Sequence, residues 1–260
     1  MGLVRLEKKT NGIWICELHR PDKLNALSAQ LVRELTEVFK GAQAAAQSFE
    51  CRAFLLKSSS PKAFCVGADL AERKAMNETQ VVAALDGLRE LMLSLEQIPC
   101  PTIAVLEGVA LGGGLELALC CDVRVASESA SMALTETRLA IIPGAGGTQR
   151  LTRLVGLSKA KEFIFTGKRI DAREALDCGI LNAIATSPLE WAETFAAQVI
   201  EGGPVALLAA KEAIEKGWNV EIQEGLNIER AAYLKTLHTQ DRLEGLQAFS
   251  EKRKPQYRGK

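Results

Sequence analysis

Histidine is nearly absent. His19 and His238 are the only two in 260 residues, and they lie far apart in the chain. A histidine-rich metal centre, a Ser-His-Asp triad and a Cys-His pair therefore have little material to be built from. Net charge is absent too, with 32 Lys plus Arg against 32 Asp plus Glu. That balance argues against a protein whose main work is gripping nucleic acid or an anionic membrane. No run of apolar residues is long enough to suggest a membrane-spanning helix. The seven cysteines (Cys16, Cys51, Cys65, Cys100, Cys120, Cys121 and Cys178) show no C-x-x-C spacing. Most sit in apolar stretches, as small buried hydrophobes of a reducing compartment do. The opening residues carry neither a secretory apolar region nor an Arg/Ser-rich transit pattern, and Leu6 spoils a myristoylation signal at Gly2. What remains is 47% hydrophobic and 25% charged, an ordinary globular chain. It is long enough for one large core, or for a main body with a smaller appendage.

Periodicity predicts a hairpin at the start, with Leu3–Leu6 and Ile13–Leu18 as strands around the Asn11-Gly12 turn signal. After the breaker Arg20-Pro21-Asp22-Lys23, a helical spacing begins at Ser28 with Leu31, Leu35, Val38, Phe39 and Ala42 on one face. Ala53–Leu56 reads as a buried strand. Glu78–Gln97 reads as a long amphipathic helix stopped by Pro99 and Pro101. Thr102–Leu106 and Val123–Ala126 are further strands, and from about Ser158 the pattern is mostly helical. Strand–helix alternation predicts an α/β core over residues 1–203, followed by a helical region over 204–260. No internal repeat is visible as sequence identity.

Three glycine-containing turns carry the chemical interest: Phe64–Leu70, Gly108–Glu116 and Glu136–Thr148. In the second, a strand runs into Gly112-Gly113-Gly114 and then into an apolar helix start. Such a turn exposes backbone N–H groups with no Cβ in the way, and the new helix adds its own free donors. It suits a phosphate or the oxyanion of an enolate, and it also suits plain close packing of helix on strand. Neither it nor Gly144-x-Gly146-Gly147 fits the G-x-G-x-x-G dinucleotide pattern. The chain also has no phosphate-binding G-x-x-x-x-G-K-[ST] loop and no G-x-S-x-G nucleophile elbow. Acid–base chemistry by carboxylates is left. Glu116, flanked by apolar residues at a helix start, is costly to bury unless it has a partner or a task.

The run Ala110–Asp122, then Glu136 and Ile142–Leu151, resembles the enoyl-CoA hydratase/isomerase (crotonase) superfamily. Arg20-Pro21 with Asn25-Ala26-Leu27, Phe64 with Gly67-Ala68-Asp69, Ala172 to Gly179 and Glu244 to Arg253 continue the likeness in the family's order. Within it, Leu115–Leu119, Ala140–Pro143 and Asp241–Phe249 most resemble the branch of AU-specific RNA-binding enoyl-CoA hydratases, the methylglutaconyl-CoA hydratases of leucine breakdown. The resemblance implies a crotonase-type spiral of β-β-α units with a helical C-terminal region that serves trimerisation. It implies an oxyanion hole from the N–H groups of Ala68 and Gly113, and a water held between Glu116 as base and Glu136 as proton donor. Gly144 would orient that water.

Coenzyme A, part of the substrate rather than a cofactor, would run along Lys23, Leu24, Ala26, Asp69 and Leu70. Phe249 and Lys252 would close its pocket, commonly from a neighbouring subunit of a homotrimer or hexamer. The family's frequent lysine three residues after the oxyanion-hole alanine is Ala71 here, with Arg73 two further on. The resemblance implies hydration of a short or branched 2-enoyl-CoA, with 3-methylglutaconyl-CoA as one candidate. It places the protein in the mitochondrial matrix of a eukaryote or the cytoplasm of a bacterium. The competing readings are an enoyl-CoA isomerase and a non-catalytic or RNA-binding homologue. A pair of glutamates favours water addition over double-bond migration. The Ser28–Ser48 helix has only Arg33 and Lys40 as cations against Glu34 and Glu37, so no strong nucleic-acid binding is expected. Acyl-chain preference is expected to depend on residues 72–87.

Overall fold

The Asn11-Gly12 turn closes as expected, with the Gly12 N–H donating to the Lys9 carbonyl (3.0 Å). It joins β1 (Val4–Lys8) antiparallel to β2 (Ile13–Leu18) in a computed structural model that describes residues 2–260. The Ser28 hydroxyl caps helix α1 (Ala29–Gln47) by accepting from the Leu31 N–H (3.2 Å). Leu31, Leu35, Phe39 and Ala42 of the predicted stripe are buried, and Val38 lies half-buried at its edge.

Then the chain winds. Each turn lays one strand in a large sheet, the next in a small sheet, and closes with helix. The first turn is β3 (Ala53–Ser58), β4 (Ala63–Cys65), α2 (Leu70–Lys74) and α3 (Glu78–Glu96). The second is β5 (Thr102–Leu106), β6 (Val109–Leu111) and α4 (Gly113–Ala118). The third is β7 (Val123–Ala126), β8 (Ser131–Ala133), a 3₁₀ turn over Glu136–Leu139 and α5 (Gly147–Thr166). β9 (Ile170–Asp171), α6 (Ala172–Asp177), β10 (Ala183–Ile184) and α7 (Pro188–Val199) complete the body. Helices α8 (Pro204–Gly217), α9 (Ile222–Leu237) and α10 (Gln240–Glu251) follow. The large sheet runs β1-β2-β3-β5-β7-β10 and the small one β4-β6-β8-β9. Pairings β2 to β3, β3 to β5, β5 to β7, β4 to β6 and β6 to β8 are all parallel, as a spiral requires. The crotonase-type spiral of α/β class is thus present.

Burial explains why β3 and β5 read as continuous apolar runs: both faces of the large sheet are covered. Phe54 and Leu56 point into the main core, where Phe54 meets Phe39 edge-on (5.8 Å between rings). Leu55 points the other way, with Ile103, Val105 and Val125, under Ala192 and Ala196 of α7. Helix α3 starts at a capping box, with Asn77 and Gln80 bonding each other's backbone N–H groups.

The structure departs from periodicity at α5. Helix begins already at Gly147, in a stretch that reads as loop, and Gly156 (φ +79°, ψ 164°) then parts the span in two, so that its second half starts beside Ser158 as expected. No helix among the described residues is long and apolar enough to cross a membrane.

Candidate active site

Strands β4 and β6 are parallel neighbours, so the turns leaving them run side by side. Gly67, at φ +89°, makes this approach possible. A Cβ there would stand 2.8 Å from the Leu111 carbonyl and 3.0 Å from the Gly113 nitrogen. Gly114 lets α4 press directly on β4, since a Cβ would overlap the Cys65 carbonyl. A Cβ built on Gly113 would lie 3.7 Å from the Ala68 nitrogen, so the two backbone segments touch. Among the described residues, neither the Ala68 nor the Gly113 N–H donates to any acceptor. Leu27 braces the turn by donating to the Gly67 carbonyl (2.7 Å) and accepting from Asp69 N–H (3.3 Å).

Glu116, one turn into α4, is 3% exposed. Its Oε1 accepts from the N–H groups of Ala145 (2.9 Å) and Gly147 (2.7 Å), in the loop that opens α5. Arg150 holds that loop in turn. It grips Glu96 with two nitrogens (2.9 and 2.7 Å) and donates to the Ala145 carbonyl (3.0 Å). Burial pushes the Glu116 carboxyl above the usual range, while the two N–H groups and Arg150 pull it back.

Glu136 begins the 3₁₀ turn after β8 and is half-buried. It reaches over the glycine turn: a Cβ on Gly112 would lie 3.0 Å from its Oε1. Its Oε2 is buried without a partner. Burial, and then the nearby charge of Glu116, push its carboxyl up to about 7.

These groups share one cavity of ≈130 Å³. Ala68, Gly113, Glu116, Glu136, Gly144 and Leu70 all line it; much of the remaining wall is apolar, from Leu85 and Leu88 of α3 and from Leu139, Ile141 and Ile142. Gly144 lends its carbonyl to Arg89 (3.1 Å), while its own N–H has no acceptor among the described residues. A second cavity of ≈200 Å³ adjoins, sharing Ala68, Arg73 and Leu88 and continuing along Leu27 and Asp69. A wider hollow of ≈570 Å³, at Arg153 and Trp218, holds neither glutamate.

The remaining expected contacts are dispersed. Lys23 and Leu24 are exposed and Ala26 is buried; none of the three lines either of the two adjoining cavities. Their backbone is nevertheless tied to the site. The Leu24 carbonyl accepts from Val66 N–H (3.2 Å), and the buried Asn25 amide donates to the Phe64 carbonyl (2.9 Å). The Asp69 carboxylate is fully occupied. Oδ2 pairs with Arg20 (2.7 Å) and Oδ1 caps α2 through the N–H groups of Ala71 and Glu72. The Arg20 bond holds its pKa below the usual range. Phe249, 87% exposed, and Lys252, at the end of α10, lie outside both cavities. Residue patterns did not single out Ala145 and Gly147 as donors to Glu116, or the Arg150–Glu96 clamp. Only the glycine run 144–147 hinted at the first.

The sequence profile described as enoyl-CoA hydratase/isomerase matches residues 8–260. A mitochondrial methylglutaconyl-CoA hydratase of Mus musculus is 43% identical over 260 residues, covering 98% of this chain and 82% of the relative. The human mitochondrial enoyl-CoA hydratase domain-containing protein 2 is 43% identical over 255 residues, covering 96% of this chain and 86% of the relative. The crystal structure of an enoyl-CoA hydratase from Bacillus anthracis superposes with a TM-score of 0.96 at 46% identity, covering 99% of this chain and all of that one. With the match extending over almost every residue, the chain belongs to the enoyl-CoA hydratase/isomerase family.

Proposed function

We propose that the protein adds water across the 2,3 double bond of a short or branched 2-enoyl-CoA. One observation carries this reading: two carboxylates and two unoccupied backbone N–H groups line the same ≈130 Å³ cavity. The thioester oxygen accepts from Ala68 and Gly113. Glu116 takes a proton from water as the water oxygen bonds to Cβ, and the double-bond electrons move toward the thioester as an enolate. The two N–H groups hold the charge that develops on its oxygen. Glu136 delivers its proton to Cα, and the Gly144 N–H orients the water. In the reverse direction the two carboxyls exchange roles. Their surroundings support this division. Glu136, with Oε2 unpartnered and its pKa pushed up to about 7, is the better placed to hold a proton, while at Glu116 two N–H bonds oppose the upward push of burial.

The reaction as proposed calls on no metal or organic cofactor; coenzyme A arrives with the substrate. Lys23, Leu24, Ala26 and Asp69 run along it, and Phe249 and Lys252 close over it from a neighbouring subunit of a homotrimer or hexamer. Exposed Ile214, Trp218, Ile222, Leu243 and Leu246 on α8–α10 support such an assembly, with residues 1–203 carrying the site and 204–260 the contacts. Chain length follows from volume. A cavity of about 150 Å³ holds a benzene molecule, so the space here suits an acyl chain of about four to six carbons. The mouse relative's name favours a branched chain. The mitochondrial matrix of a eukaryote or the cytoplasm of a bacterium is the proposed location.

Product analysis tests this directly. Incubation with crotonyl-CoA should give 3-hydroxybutyryl-CoA. If a 3-enoyl-CoA is only shifted to its 2-enoyl isomer and crotonyl-CoA stays unhydrated, the isomerase reading wins.

A further inference from the structure

Arg73, in the last turn of α2, lines the cavity that holds both glutamates and also the one adjoining it. It is the one basic side chain in the lining of the catalytic cavity. Although half-buried, its guanidinium makes no ion pair and no hydrogen bond with any described residue. The arginines around it are spent: Arg20 on Asp69 (2.7 Å) and Arg150 on Glu96 (2.7 Å). The acids at the start of its own helix are committed as well. Asp69 holds Arg20 and caps α2, and Glu72 accepts from the Ala29 N–H (2.9 Å). A partly desolvated cation with no partner is expensive, and an anionic ligand would offset that cost. Arg33, also without an ion pair, adds positive charge to the wall of the adjoining cavity.

We propose that Arg73 is a specificity residue whose guanidinium binds a carboxylate at the far end of the acyl chain, so that the preferred substrates are short dicarboxylic 2-enoyl-CoA esters. This rests on the hydratase reading above and deepens it. A planar guanidinium can bind either a carboxylate or a phosphate with two parallel hydrogen bonds. Position favours the carboxylate. The ≈130 Å³ catalytic cavity accommodates a short acyl chain and has Arg73 as its basic side chain, whereas a phosphate would meet the guanidinium from the adjoining cavity, where Arg33 also stands. Its apolar wall of Leu70, Leu85, Leu88, Ile141 and Ile142 takes the methylene or methyl groups, leaving one cation for one terminal charge.

Glutaconyl-CoA and 2-pentenoyl-CoA share a five-carbon chain and differ in ending with a carboxylate or a methyl group. The wild-type protein should have the higher kcat/KM for glutaconyl-CoA. Arg73→Gln should lower the ratio of the two kcat/KM values by about tenfold to a hundredfold, mainly through KM for glutaconyl-CoA, and Arg73→Lys should restore part of it. An unchanged ratio, whether both substrates lose equally or neither loses, overturns the proposal. So does a loss on 2-pentenoyl-CoA that vanishes with 2-pentenoyl-pantetheine, because the guanidinium would then serve a phosphate. Failure of the wild-type protein to hydrate either ester would instead count against the hydratase reading itself.

Discussion

Replacing Glu136 with Gln should make the protein less active and should raise its stability relative to wild type as pH rises through neutrality. The carboxyl of Glu136 is shifted from 4.5 to about 7 by burial and by the charge of Glu116, with Oε2 lacking any partner. A folded-state pKa above the unfolded value means that the folded state binds this proton more tightly. The contribution to stability is fully present below about 4.5 and is lost as pH rises through about 7. At about 1.4 kcal/mol per pKa unit the shift corresponds to about 3 kcal/mol. Glu136 is only half-buried, and solvent screening reduces this to about 1–2 kcal/mol. Glutamine does not titrate, so the stability of Glu136→Gln relative to wild type should improve by about 1–2 kcal/mol between pH about 5 and about 8.5. In a chain of this size that is a relative rise in Tm of about 2–8 °C. Thermal unfolding of both proteins across this range reads it. A Tm of Glu136→Gln that, relative to wild type, stays constant with pH or falls toward alkaline pH would refute the reasoning. A fixed cost from burying the amide moves the whole curve without changing its slope.

The same ionisation should appear in activity. kcat/KM for hydration should fall as pH rises through about 7, where Glu136 loses the proton it must deliver, and a profile flat to pH about 9 would remove it from that role. Gly67→Ala places a methyl group 2.8 Å from the Leu111 carbonyl at a positive φ, so the two N–H donors must part. The expected loss is about a hundredfold or more in kcat and about 1–3 kcal/mol in stability, and activity within twofold of wild type would count against the oxyanion hole. An AU-rich RNA should show no mobility shift at physiological salt, since α1 offers only Arg33 and Lys40 against Glu34 and Glu37; a salt-dependent shift there would contradict this.

Local rules read the longer elements well. The Ser28 cap, the Glu78–Glu96 helix and the β5 and β7 strands follow from patterns that each need only neighbouring residues. Strands β4, β6 and β8, of three residues each, are too short to show a period, and they merge with the glycine turns they feed. The spiral repeat is invisible as identity because each turn meets different surroundings: β3 and β5 are covered on both faces, while β8 pairs with β6 on one side and β9 on the other. Glu116 was legible from its own apolar flanks. Glu136, flanked by Thr135 and Thr137, carries no such local mark, and its meaning comes from the Gly112 turn beneath it, which no local pattern contains. The Arg150–Glu96 clamp joins α3 to α5 across 54 positions and likewise leaves no local trace. Arg73 is unremarkable on a short exposed helix until the cavity beside it is seen.

Whether the two carboxylates act on one water is tested most directly by a double-mutant cycle in kcat with crotonyl-CoA. Glu116→Gln and Glu136→Gln should each cost about a hundredfold or more, and the combined variant should be about as slow as the slower single one. Losses that multiply, or a single variant that keeps kcat within severalfold of wild type, would contradict a shared water.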